Sequence, residues 1–496
     1  MIAGTVVLVV IHVILNCCMG MNEEKLFPDE STRTAIAHFL HERLRTARNR
    51  LPNGPVTPSV NLESFRATLK SKKFEQPEDI QELFEWVIAS LETGIVHPTH
   101  PRYFGLFNPQ PTFPAICADA IAAEFNPQIC VWSHAPVAVE IENHVVEQIA
   151  SRAGLPNDSR GHFTSGGSEA NCTAVVCALT AAESKFAQIG ARAFKGQPKI
   201  YVSKESHLAW FKIAHQLGIG RDAVSLVPTD GSGRMDTSLL HQQIQHDLSN
   251  DEVPILIAAT AGTTNAGMVD PLQESAEVAA HFGLWYHIDA AWGGALIASP
   301  KYRGELDGIE RADSITIDAH KWFAATMGAG IFLTRRAKVL AEAFSVSTDY
   351  MPSNDASVDP YVTSIQWSRR FVGLRLFLSL CVAGWEGYAR HVEHAINMID
   401  RLVNELAPAG WTVVNTSRMA VACLVPPGNS IAVNDLVDRV VAAGNSWVSM
   451  TRFEGQAVVR ACATNGNLTE SDVGQLATDL MKHTKRPPAT AAKERG

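Results

Sequence analysis

Apolar residues recur along this chain first at helical spacing, then in short runs that alternate with helical stretches. Ile80, Leu83, Phe84, Val87, Ile88 and Leu91 predict an amphipathic helix over Glu78–Leu91. The same period predicts helices over Ala115–Phe125 and Val137–Ala153, the second with Val137, Ile141, Val145 and Ile149 on its apolar face. Ahead of them lie a charged amphipathic segment, Asn22 to about Leu51, and a linker at Pro52-Asn53-Gly54-Pro55. Prolines interrupt His97–Pro109 and predict an aromatic-rich loop. From residue 199 strands over Lys199–Ser203, Ser225–Pro228, Pro254–Thr260, Leu284–Ile288 and Asp313–Lys321 alternate with helices over Leu208–Leu217, Met235–Asp247 and Leu272–Phe282. Pro254–Thr260 is apolar without a break, as a strand covered on both faces should be. The series predicts an α/β fold with a doubly wound, mostly parallel sheet. Beyond Gln366 a smaller C-terminal domain is expected: a long helix starting near Phe371 and continued by His391–Glu405, strands Trp411–Val414 and Val421–Val425, and a helix over Asn434–Ala443.

Composition narrows the class. The chain has 496 residues, 46% hydrophobic and 19% charged, enough for a large core in more than one domain. A net charge of -9 without a basic stripe argues against nucleic acid as a partner. Nine scattered cysteines, none in a Cys-x-x-Cys pair, indicate neither a zinc site nor a disulfide framework and suggest reduced thiols of a cytoplasmic protein. His391 and His394 lie one turn apart with no further ligand, so a solvated helix face is expected and no metal. The first 20 residues are the anomaly. Ile2–Met19 is nearly all apolar yet lacks a basic start; it reads as a signal peptide, a marginal membrane anchor or a dispensable upstream extension, the last preferred. Residues 483–496 are basic and Pro/Ala-rich, an expected disordered tail.

The chemistry collects at strand ends. Gly161–Asn171 contains a small-residue turn, Ser165-Gly166-Gly167-Ser168, opening into an Ala-rich helix. Free N–H groups and the helix dipole there favour a phosphate, and glycine lets the main chain approach it. No Gly-x-Gly-x-x-Gly is present, which excludes the dinucleotide fingerprint. His207, Thr263, Asp289 and Lys321 follow successive strands, and the carboxyl ends of parallel strands share one edge. Each alone would be an ordinary polar residue; together with an anion turn they suit pyridoxal phosphate. Lys321 would hold its aldehyde as a Schiff base and Asp289 its protonated ring nitrogen, while Gly167 and Ser168 hold the phosphate. His207 would stack on the ring, with Ala291 on the other face.

These motifs resemble the group II pyridoxal-phosphate decarboxylases, which include glutamate and aromatic amino acid decarboxylases, over about residues 90–480. The resemblance rests on His100-Pro101-Arg102-Tyr103-Phe104, Thr164–Asn171, His207, Ala259–Thr264, Asp289-Ala290-Ala291-Trp292-Gly293-Gly294 and the pair His320-Lys321. It implies a fold like aspartate aminotransferase (fold type I), a homodimer with its active site at the subunit interface, and decarboxylation of an L-amino acid to its amine. It divides the chain into an extension (1–20), a segment packing on the partner (21–115), a large cofactor domain (116–365) with a mobile loop at 345–366, a small domain (366–482) and the tail. It further implies that Arg460 binds the substrate carboxylate, that Phe107 and Asn108 line the substrate pocket, and that a loop tyrosine, Tyr361 with Tyr350 behind it, returns the proton.

Several positions depart from the pattern. Asp318 stands where the family often has Asn, and a carboxylate is a poor neighbour for a phosphate. Gly105–Pro109 lacks the Gln of animal glutamate decarboxylases and looks like the aromatic branch, whereas Trp292-Gly293-Gly294 and Ile365-Gln366 look like the glutamate branch. The alternatives are a carbon–carbon lyase or aldehyde synthase of the same fold, and an inert scaffold.

Overall fold

The computed structural model describes residues 26–58, 60–346, 358–428 and 431–484. The apolar extension, Tyr350 and the tail beyond Thr484 lie outside these residues, whereas His483 and Thr484, expected in the disordered tail, close the helix Glu470–Thr484. Contacts divide the chain into two units between Val96 and His97. The first contains helices Glu30–Arg50, Leu62–Ser71 and Ile80–Gly94. Arg43 bridges Glu85 at 2.7 Å and Glu92 at 2.6 Å, and Phe65 stacks on Trp86. Leu62–Ser71 was not legible in the apolar pattern because it buries no residue, and Val87 and Leu91 of the expected apolar face are exposed.

The second unit is built on a seven-stranded sheet: β1 (Arg160–Thr164), β2 (Pro198–Ser203), β3 (Val224–Val227), β4 (Val253–Thr260), β5 (Trp285–Asp289), β6 (Ser314–Asp318) and β7 (Gly330–Thr334), in the order β1-β7-β6-β5-β4-β2-β3. β6, β5, β4, β2 and β3 run parallel, and β7 is antiparallel to both its neighbours. Successive side chains of a strand point to opposite faces. β2 accordingly sends Ile200 and Val202 into one apolar cluster and Tyr201 into another; β5 sends Trp285 to the first and Tyr286 and Ile288 to the second. Helices cover both faces, which is why β4 reads as an unbroken apolar run. Two strands differ from expectation. Arg160–Thr164 looks like the start of a Gly-rich turn but is β1, and Gly330–Thr334 carries no period of its own. They take their conformation from pairing with each other, and β7 also from pairing with β6.

Helix Gly373–Leu406, kinked at Gly384, leads to the small domain. Its sheet, in the order β10-β11-β9-β8, is antiparallel: β8 (Thr412–Val413), β9 (Val421–Val425), β10 (Ser449–Phe453) and β11 (Gln456–Cys462). The strand expected at Trp411–Val414 shrinks to two residues. His391 and His394 are not on a solvated face. Their Nε2–H groups donate to Trp322 O at 3.1 Å and Leu468 O at 2.8 Å, and burial pushes the His391 pKa down to about 4. Val137, expected in the core, is exposed; Ala138, Val139 and Glu142 of the same helix face inward instead. The Glu142 carboxylate is buried because Arg369 pairs with it and Gly373 N donates to it at 3.0 Å.

Candidate active site

β4, β5 and β6 are neighbours and end side by side, with Thr260 in register with Asp289 and Asp289 with Thr316. A cavity of about 300 Å³ opens at this edge, lined among others by Gly167, Ser168, His207, Asp289, Ala291, His320 and Lys321. Parallel strands with helical crossovers leave this edge open, so residues far apart in sequence converge there.

Lys321 follows β6 in a tight turn whose Lys321 N–H donates to Asp318 O at 3.1 Å. Its Nζ lies 3.0 Å from Asp318 Oδ2. Asp318 is almost fully buried, and its Oδ1 has no hydrogen-bond partner. The carboxylate lies against the anion turn: a Cβ on Gly167 would come within 3.0 Å of Asp318 Oδ2 and 3.4 Å of Ala291 Cβ. Only glycine leaves room there for an anion between the helix N-terminus and the strand ends. His207 forms part of the wall. Its Nδ1 accepts from Ala209 N at 3.1 Å, so the neutral ring carries its proton on Nε2.

Asp289 is held on both oxygens: Ala291 N donates to Oδ1 at 3.1 Å and Asn171 Nδ2 to Oδ2 at 2.8 Å. Asn171 lies one turn into the helix that carries Gly167 and Ser168, so one helix presents the anion turn and clamps the carboxylate.

The aromatic loop delivers the opposite wall. Phe104 N donates to Trp447 O, and Cys462 N to Phe104 O, so residues 102–107 lie along the small domain of their own chain. Gly105 is required there, since a Cβ would sit 2.3 Å from the Trp447 ring. Phe107 stacks on Trp292 at 4.1 Å, and Trp292 on Trp322 at 4.6 Å, forming an aromatic ladder beside Lys321. Arg460, on β11, packs against Phe107 with its guanidinium carbon 4.7 Å from the ring centre. Its Nε donates to Thr264 O at 2.9 Å and Nη1 to Gly105 O at 2.6 Å, while the buried Nη2 has no partner.

Four expected residues lie outside the cavity lining; Arg460 is one of them, buried behind Phe107. Thr263 is turned away from the cavity: its Oγ1 accepts from Met268 N at 3.0 Å, and Thr260, Gly262 and Thr264 line the cavity instead. A hydroxyl beside a free N–H in a tight turn is satisfied locally before it can serve a ligand. Asn108 does not line the cavity, although Phe107 does. Tyr361 is also outside the lining; it stacks on Trp367 at 4.9 Å and its N–H donates to Cys130 O.

Residues 63–423 match the family model described as the pyridoxal-dependent decarboxylase conserved domain. The chain belongs to this family. Among relatives, an aromatic-L-amino-acid decarboxylase of Bacillus atrophaeus is 27% identical over 86% of this chain and 90% of its own. A tyrosine decarboxylase of Oryza sativa subsp. japonica is 30% identical over 84% of each chain. The crystal structure of mouse CSAD superposes with a TM-score of 0.88 at 26% identity, covering 93% of this chain and all of that one. The shared fold is the α/β architecture of this family, and pyridoxal phosphate is the cofactor of this decarboxylase.

The residues present fit that cofactor. The Gly167–Ser168 turn offers main-chain donors in space that a Cβ would fill, Lys321 offers an amine in the same cavity, and Asp289 offers a buried carboxylate. Sequence reading missed Asn171, whose amide holds Asp289, and Trp322, whose ring extends the ladder. Asn171 lay within the anion motif, but only the folded helix shows that its amide reaches β5.

Proposed function

We propose that this decarboxylase removes the α-carboxyl group of an L-amino acid as carbon dioxide and releases the corresponding amine. One observation carries the reading: Lys321, the anion turn and Asp289 line a single cavity whose Phe107 wall is backed by Arg460 with an unpartnered Nη2. When bound, the cofactor supplies the electron sink for the pair left on the α-carbon. Lys321 would anchor the cofactor, Gly167 and Ser168 would bind its phosphate, and Asp289 would face its ring nitrogen. His207 and Ala291 would flank the ring. Arg460 Nη2 would bind the substrate carboxylate. The buried rings of Phe107, Trp292 and Trp322 exclude water on one side, and a carboxylate brought into such a site loses the hydration that stabilises it. His207, in the cavity wall with its proton on Nε2, would return a proton to the substrate. Product analysis tests the whole: with glutamate, aspartate, tyrosine, tryptophan, dopa and diaminobutyrate offered together, one amine should form in step with carbon dioxide. Aldehyde with hydrogen peroxide, or no turnover, would overturn it.

Asp318 bears on cofactor affinity. A second carboxylate beside the phosphate turn opposes anion binding, so Asp318→Asn is expected to tighten pyridoxal phosphate roughly tenfold. Fluorescence titration of the apoenzyme measures this; weaker binding would show that the Asp318–Lys321 pair assists loading.

A homodimer is also part of the proposal. Phe113, Ile116, Ile121, Phe125 and Val137 are exposed on two consecutive α-helices, and grouped exposed apolar side chains mark interaction surfaces. Sedimentation equilibrium should give twice the chain mass of 53.8 kDa. Tyr361, outside the cavity lining of its own chain, would then serve the partner's site; mixing Tyr361→Phe with Lys321→Ala chains should restore activity in hybrids, and no recovery would refute the arrangement. The seven described free cysteines support a reducing, cytoplasmic location, and no described helix is long and apolar enough to cross a membrane. A reporter fused to residues 1–20 that fractionates with membranes would overturn that location.

A further inference from the structure

Behind Asp289 lies a line of buried polar side chains with a direction that can be worked out from either end. Trp285, His287 and Asp289 alternate along β5 and therefore share one face, and Ser314 pairs with His287 across to β6. None of Asn171, Trp285, His287, Asp289 and Ser314 is more than 6% exposed.

From the carboxylate end, Asp289 Oδ2 can only accept, so Asn171 must turn Nδ2 towards it, at 2.8 Å. That leaves Asn171 Oδ1 facing His287 Nε2 at 3.1 Å, and an amide oxygen can only accept, so Nε2 carries the proton. His287 Nδ1 is then the acceptor, and the Ser314 hydroxyl, 2.8 Å away, must donate to it. From the far end, the Trp285 indole can only donate, and its Nε1–H reaches Ser314 Oγ at 2.8 Å. Both ends demand the same polarity. Thr316 Oγ1, 3.4 Å from His287 Nε2, is a longer second acceptor for the same proton. Burial holds the His287 pKa down to about 4, which keeps the ring neutral and the chain in one tautomer.

We propose that Trp285, Ser314, His287 and Asn171 form a one-way hydrogen-bond chain that positions the Asp289 carboxylate for the cofactor ring nitrogen. Asn171 and His287 are thus positioning residues of the cofactor site. Reversal at any link would turn an amide oxygen or an unprotonated nitrogen against a carboxylate or another acceptor, and buried acceptors without donors are costly. The chain locks the amide of Asn171, and through it the plane of the carboxylate, before any ligand enters. It rests on the proposed placement of Asp289 against the ring nitrogen, and it is independent of which amino acid is decarboxylated.

The test reads the cofactor. Apoenzyme is reconstituted with ¹⁵N-labelled pyridoxal phosphate, and the ring-nitrogen resonance and cofactor dissociation constant are measured for wild type, Asn171→Ala, Ser314→Ala and Asp289→Asn. Asn171→Ala should move the resonance towards the unprotonated position and weaken binding roughly tenfold, the scale of one lost hydrogen bond to a charged group. Ser314→Ala, which deletes one oxygen and keeps the proposal testable if the first variant does not fold, should move it the same way by less. A resonance moved in Asp289→Asn but unmoved in folded Asn171→Ala and Ser314→Ala overturns the chain alone. A resonance unmoved in Asp289→Asn overturns the placement of Asp289 and the chain with it.

Discussion

Lys321→Ala is expected to reduce turnover by on the order of 10⁴-fold or more, the scale of removing a covalent catalytic group, and to leave no cofactor fixed to the chain by borohydride. Lys321 is the amine that lines the cavity with the anion turn and Asp289, so no neighbour can take its place as the anchor. The substitution also removes the partner of Asp318, a nearly buried carboxylate whose other oxygen is already unpartnered. A buried charge left alone destabilises a fold by more than the pair contributed. The double variant Lys321→Ala/Asp318→Asn removes both charges and should recover any lost melting temperature without recovering turnover. Recovered turnover, or full activity in the single variant, would dismiss Lys321 as the anchor.

Arg460→Met is expected to lower kcat/KM roughly 10- to 100-fold, chiefly through KM, as one charge-assisted hydrogen bond to a substrate carboxylate is lost. The physical basis is the unpartnered Nη2 of a guanidinium that is otherwise tied to Gly105 O and Thr264 O. Those two bonds join the aromatic loop, the end of β4 and the small sheet, so part of the effect will be structural. Arg460→Lys separates the contributions: it retains a charge but cannot span both carbonyls in the same fork. A KM unchanged in Arg460→Met at wild-type melting temperature would remove Arg460 from substrate binding.

Much of this site was legible in the residues alone. The unbroken apolar run Pro254–Thr260 identified β4 as a strand covered on both faces, because a strand packed by helices above and below need show no polar side. The Gly-Gly-Ser turn, Asp289, His207 and Lys321 each stand where a strand ends or a helix begins, and the edge rule for parallel sheets brings such positions together whatever their separation in sequence. The motifs named the family.

What the sequence could not determine was orientation. Thr263 and Thr264 are adjacent and chemically equal, yet the Met268 N–H claims the hydroxyl of Thr263, and Thr264 faces the cavity. Asn171 reaches Asp289 only because one turn of helix is laid across the end of β5, and His287 is recognisable as its partner only once Ser314 lies in register beside it. β1 and β7 are strands through pairing rather than through any pattern of their own. Local periodicity and turn chemistry decide which elements form and which residues end them, since those depend on neighbours in the chain. Which way a polar side chain turns depends on the donors and acceptors that folding brings within 3 Å or so, and those lie 5 positions away for Thr263, 27 for His287 with Ser314 and 118 for Asn171 with Asp289.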